Sequence, residues 1–249
     1  MIRSLILIAG MGLVPTLAPA GPLATTIVTD DGVSVFADSY RAASIDAPVI
    51  LLFHQAGSSK SEYAPIAPKL VALGYNVLAI DQRSGGDLYT PTNATVQHLG
   101  HSAAYVDVLH DMEAALAWAH RTYPQAPVYA WGSSYSASLV FELAARHPHD
   151  IAAVIAFSPG EYFTDKRYVR TAAKRVRVPV FLDSASDPEE ERGARAIFDA
   201  TPARVKVLFV PHTGIHGSST LRSDRNAAGE SENWAAVTAF LARLGSGTR

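Results

Sequence analysis

Residues 128–139 read VYAWGSSYSASL, and the fold turns on how they are read. Val128, Tyr129 and Trp131 are strand formers, Gly132 breaks the run, and the small residues after Tyr135 lead into a helical pattern. The stretch is therefore expected to form strand, sharp turn and helix. A serine on such a turn projects its hydroxyl beyond the sheet edge, and the residues two before and two after it must be small so that strand and helix can pass closely. With Ser134 as nucleophile those residues are Gly132 and Ser136; Ser136 stands where the G-x-S-x-G pattern has its second glycine. The rival register, centred on Ser136, leaves Gly132 without a purpose and is not preferred.

The 249 residues suit one larger α/β domain. Hydrophobic residues make up 48% and charged ones 18%, which argues against disorder. A formal net charge of −2 provides no electrostatic footprint for nucleic acid or an anionic membrane. Cysteine is absent, which excludes disulfides, thiolate metal sites and a cysteine nucleophile.

Residues 1–20 differ from the rest. Arg3 is their only charge, Leu5 to Val14 is apolar, and Ala18-Pro19-Ala20 has the small-x-small form of a cleavage site. This pattern reads as a secretory signal peptide cleaved near Ala20, leaving residues 21–249 as a single exported domain, periplasmic or secreted. The apolar run falls short of the ~20 residues that span a bilayer, so no stable membrane anchor is expected.

Beyond residue 20, strand and helix signals alternate. Two β-rich runs flank Asp30-Asp31-Gly32, a hairpin turn signal. Val49 to Phe53 and Tyr75 to Ile80 are apolar without alternation, as central parallel strands are. A helix ends at Gly74, another starts from a Ser102 cap, and a third runs from the Ser134 turn to Arg146. Ile151 to Phe157, Val178 to Leu182 and Val205 to Val210 read as further strands, and a last helix stops at Gly245. The expected fold class is α/β: a doubly wound, mostly parallel sheet with helices on both faces.

From Pro48 to Gly245 the chain resembles the α/β-hydrolase family, as a small lidless serine esterase or a dienelactone-hydrolase-like member. Phe53-His54-Gln55-Ala56-Gly57 resembles the family's His-Gly-x segment, and Asp81-Gln82-Arg83-Ser84-Gly85-Gly86 its Asp-x-Arg-Gly-x-Gly turn. The resemblance implies Ser134, Asp187 and His216 as catalytic residues, in the chain order this fold uses. Asp183 competes with Asp187 and His212 with His216. His216 is preferred because Gly217 follows it, Asp187 because Asp183 falls at the strand end itself. The backbone N–H groups of Tyr135 and Ala56 are the expected oxyanion donors.

These residue types belong together chemically. A serine hydroxyl is a weak nucleophile until a histidine accepts its proton, and a carboxylate fixes the imidazole tautomer. Gln55 is expected to narrow or polarise the acyl pocket with its side chain, and Tyr162 to line it. About twenty residues separate Phe157 from Val178, leaving no room for a large lid. The basic residues Lys166, Arg167, Arg170, Lys174, Arg175 and Arg177 are expected to pair with Glu189, Glu190 and Glu191. No metal is expected, because neither His98-x-x-His101 nor His212-x-x-x-His216 brings the glutamate of an H-E-x-x-H motif, and no cofactor is implied. The expected activity is hydrolysis of a small-molecule carboxylic ester through an acyl-enzyme on Ser134. A peptidase or acyltransferase using the same residues, or a silent binding protein of this fold, are the alternatives; the oligomeric state is not legible.

Overall fold

The structure is a computed structural model that describes residues 21–246; the signal-peptide reading of residues 1–20 lies outside the described residues. Eight strands form one sheet in the order β1-β2-β4-β3-β5-β6-β7-β8. They are β1 (Leu23–Val28), β2 (Ser34–Tyr40), β3 (Val49–Phe53), β4 (Asn76–Ile80), β5 (Val128–Ser133), β6 (Ala153–Phe157), β7 (Val180–Asp183) and β8 (Lys206–Phe209). β1 and β2 form the expected hairpin, and β2 also pairs antiparallel with β4. All other pairs are parallel.

The unalternated apolar runs are buried on both faces, as read. Val49, Leu51 and Phe53 of β3 point into one core with α3 (Val108–Thr122) and α4 (Tyr135–Arg146). Ile50 and Leu52 point into a second, where Trp131, Phe157 and Phe181 meet α1 (Ala67–Ala72) and α7 (Glu230–Ser246). This is the period-two alternation of a strand covered by helices on each side.

Local details depart from the sequence reading. Ser102 caps no helix; its hydroxyl accepts the Gly85 N–H, and α3 begins six residues later, after a 3₁₀ turn at Tyr105–Asp107. A further short helix, α2 (Ala94–Leu99), precedes α3: the Asn93 side chain accepts the Val96 N–H at its start, and Gly100 closes it with a φ of 77°. Helix α7 runs through Gly245 to Ser246 rather than stopping there. The connection from β6 to β7 holds only α5 (Tyr168–Ala173), and α6 (Pro188–Ala200) follows β7.

The parallel strands bring the ends of β3, β5, β6, β7 and β8 to one edge of the sheet. In open α/β sheets that carboxyl edge is where sites form.

Candidate active site

Ser134 stands between β5 and α4 with φ 59° and ψ −123°. A positive φ is unfavourable for a residue with a Cβ and persists only where the surroundings enforce it. Here the Ser134 N–H donates to the Phe157 carbonyl at 2.8 Å, while Gly132 lets α4 pass closely. A Cβ at Gly132 would lie 2.3 Å from the Ser136 carbonyl oxygen and 2.4 Å from the Ala137 nitrogen.

Ser136 is more than a tolerated replacement for glycine. Its hydroxyl donates to the His54 carbonyl at 2.6 Å and accepts from Gln82 Nε2 at 2.8 Å, tying the elbow to the loops after β3 and β4. His54 completes that tie. Its Nδ1 lies 2.8 Å from the Gln55 carbonyl, and its Nε2 accepts the Gln82 N–H at 3.1 Å. The ring is thus held neutral with the proton on Nδ1, and burial depresses its pKa to about 4.

Ser134 Oγ is 2.7 Å from His216 Nε2, and His216 Nδ1 is 2.8 Å from Glu190 Oε1. The carboxylate partner of His216 is therefore Glu190 and not Asp187. Asp187 is the N-cap of α6, where its Oδ1 accepts the N–H groups of Glu189 at 2.9 Å and Glu190 at 3.1 Å. Asp-Pro-Glu-Glu is a helix-start signature, with a capping aspartate and proline in the first turn. That signal was present in the sequence and outranks the position of Asp187 after β7. Burial pushes the Glu190 carboxyl up, but the hydrogen bond and charge of His216, with Ser158 and the Ala185 N–H, outweigh it, and its pKa lies below the usual range. At neutral pH Glu190 is a carboxylate.

The rival residues do not join this relay. The His212 side chain is 96% exposed and binds Glu232 at 2.8 Å. Asp183 is fully buried, and neither of its carboxylate oxygens has a partner among the described residues.

The loop carrying His216 is fastened to neighbouring strand ends. The Gly217 N–H donates to Ser158 Oγ at 2.9 Å and the Ser218 N–H to Ser133 Oγ at 2.8 Å. Ser158, just after β6, also has a positive φ, 54°, and had no counterpart in the sequence reading.

Tyr162 faces His216 edge-on, with ring centroids 6.5 Å apart, and its hydroxyl donates to the Ser158 carbonyl at 2.9 Å. It lines a cavity of about 440 Å³ together with Gly160, Glu161, Glu189, Glu190 and His216. Gln55 does not. Its Nε2 donates to Ser219 Oγ at 2.8 Å and Glu62 Oε1 at 3.2 Å, so the side chain is spent in a buried network rather than facing the acyl pocket. The N–H groups of Ala56, in the loop after β3, and of Tyr135, the first residue of α4, meet no acceptor among the described residues.

The basic cluster also pairs differently from the expectation. Arg170 binds Glu161, Arg175 binds Glu142 and Arg167 binds Asp165, because Glu190 is taken by His216 and Glu191 faces Arg195 on its own helix.

A model of the family described as serine aminopeptidase, S33, matches residues 46–180. No curated protein matches the chain. Among solved structures, an esterase of Pyrococcus furiosus superposes with a TM-score of 0.66 at 20% identity, over 89% of this chain and 90% of its own. Dienelactone hydrolase from Anabaena variabilis gives 0.67 at 15% identity, over 87% and 96%. A cold-adapted esterase from an Arctic intertidal metagenomic library gives 0.62 at 20% identity, over 84% and 91%. At such identities the likeness carries the α/β-hydrolase fold.

Proposed function

The chain belongs to the serine aminopeptidase S33 family of α/β-hydrolases, and we propose that this hydrolase cleaves small carboxylic esters through an acyl-enzyme on Ser134. The observation that carries the reading is the relay Ser134 Oγ, His216, Glu190, with separations of 2.7 Å and 2.8 Å. With its Nδ1 proton donated to the Glu190 carboxylate, His216 presents an unprotonated Nε2 to the Ser134 hydroxyl.

Ser134 Oγ attacks the ester carbonyl carbon as its proton passes to His216 Nε2. The carbonyl oxygen becomes an oxyanion, received by the N–H groups of Tyr135 and Ala56; donors of this kind are worth ~3 kcal/mol each. Collapse breaks the bond to the leaving oxygen, which takes the proton from His216. Water then gives a proton to the same nitrogen, adds to the acyl carbon, and Ser134 leaves with the proton restored.

The ester reading draws support from the solved structures that share the fold, several of which are esterases by name. The family's description favours a second reading, release of an N-terminal amino acid, in which His216 must protonate a poorer leaving group, an amine. Purified protein offered p-nitrophenyl esters and aminoacyl p-nitroanilides decides between them. Ester turnover with covalent fluorophosphonate labelling that vanishes in Ser134→Ala is the expected result. Anilide turnover without ester turnover overturns the ester reading, and labelling that survives in Ser134→Ala overturns the nucleophile. Export stands as a proposal on residues 1–20 alone, tested by whether they carry a reporter out of the cytoplasm.

A further inference from the structure

Glu62 lies in the 3₁₀ turn Lys60–Tyr63 after β3 and is fully buried. Its Oε2 accepts the Gln55 backbone N–H at 2.8 Å. Its Oε1 accepts from Ser133 Oγ at 2.8 Å, from Gln55 Nε2 at 3.2 Å and, more weakly, from Ser219 Oγ at 3.5 Å. These donors come from three loops far apart in sequence. Gln55 precedes Ala56, Ser133 precedes Ser134, and Ser219 lies three residues after His216. Ser133 Oγ also receives the Ser218 N–H, so the loop bearing the base is held to the elbow through the same carboxylate.

We propose that Glu62 is a positioning residue: as the common acceptor of Gln55, Ser133 and Ser219, its carboxylate sets the Ala56 N–H, the Ser134 hydroxyl and His216 in register with one another. The proposal rests on the acyl-enzyme reading of Ser134. An ionised carboxylate only accepts, and its lone pairs match the four donors that surround it. A protonated one places an O–H among donors and loosens at least one arm.

The charged and titratable neighbours are few. Arg222 donates to the Glu62 backbone carbonyl at 2.8 Å, His216 is on the facing loop, Tyr63 is on the same turn, and Tyr89 reaches Ser219 Oγ at 2.6 Å. Lys60 is occupied by Asp81. Burial raises the Glu62 carboxyl, the Gln55 N–H, the Ser133 hydroxyl and the charges of Arg222 and His216 pull it back, and its pKa comes to about 7. The clamp therefore closes as pH rises through neutrality.

The test is the pH dependence of kcat/KM and of fluorophosphonate labelling in wild type, Glu62→Gln and Ser133→Ala, with folding checked by circular dichroism. In wild type two groups must lose protons, so the acid limb should steepen towards a slope of about 2 in logarithmic form, against about 1 in Glu62→Gln. Glu62→Gln should lose on the order of 10- to 100-fold in kcat, the scale of a small misplacement of reacting groups, with KM nearly unchanged. The Glu62→Gln and Ser133→Ala losses should be less than multiplicative in the double variant, because they break one clamp. A folded Glu62→Gln that keeps wild-type kcat, or the same limb slope as wild type, overturns the proposal. A wild type that neither turns over ester nor takes the label overturns the Ser134 reading itself, which separates the two failures.

Discussion

The carboxylate of Asp187 accepts the backbone N–H of Glu190 at 3.1 Å, so the cap of α6 orients the residue that binds His216. Two acidic residues three positions apart thus have separate duties. Glu190→Ala should lower kcat by about 10⁴-fold, the scale on which loss of the histidine's carboxylate partner acts in serine proteases. Asp187→Ala should cost about 1 kcal/mol of stability through the lost cap and only a modest fraction of the activity. Steady-state rates with thermal melts of both variants check this, and a dead Asp187→Ala beside an active Glu190→Ala would reverse the assignment.

At the elbow the two small positions differ in kind. Gly132→Ala forces a Cβ against the backbone of α4, 2.3 Å from the Ser136 carbonyl oxygen, and should cost about 3 kcal/mol and abolish turnover by shifting Ser134. Ser136→Gly removes an acceptor for Gln82 Nε2 and the donor to the His54 carbonyl. It should cost about 1–3 kcal/mol although it restores the commoner glycine. Urea unfolding measures both, and a Ser136→Gly protein as stable as wild type would contradict the bonded role of that hydroxyl.

The strands buried on both faces were legible because β3, β4, β5 and β6 need no polar alternation, and the sharp turn that carries Ser134 because Gly132 has no other use. Glu190 was hidden by its neighbour: spacing after β7 favoured Asp187, and only the capping chemistry of Asp-Pro-Glu-Glu distinguishes them. Glu62 left no periodic signal at all. Its burial is created by loops around residues 55, 133 and 219, which nothing in the linear sequence brings together. The place of the Gln55 side chain is set in the same way, by Glu62 and by the distant Ser219.

His216 and His212 are four residues apart but chemically unrelated, one bonded to Ser134 and the other to Glu232 at the surface. His216→Ala should lose activity on the order of 10⁶-fold, by analogy with the histidine of subtilisin. His212→Ala should keep both its rate and the acid limb of the pH profile. Kinetics of the two variants from acid to neutral pH decide it; a His212→Ala enzyme without an acid limb would assign the base to the wrong residue.

Asp183 ends β7 fully buried, with no partner for either carboxylate oxygen among the described residues. Burial, reinforced by the negative charges of Glu190 and Glu232, raises its pKa well above the ordinary value. The folded protein therefore holds this proton to higher pH than the unfolded chain, which releases it near pH ~4. Below that range the titration of Asp183 adds no cost. As pH rises towards the folded pKa, stability is lost at up to ~1.4 kcal/mol per pH unit. Asp183→Asn keeps the shape and removes the titration, so it should match wild type near pH 4 and exceed it increasingly at pH 6 and 8. Urea midpoints at the three values measure the gap. A constant difference, or a variant less stable at pH 8, would mean that the buried carboxylate is stabilised by an interaction other than its proton.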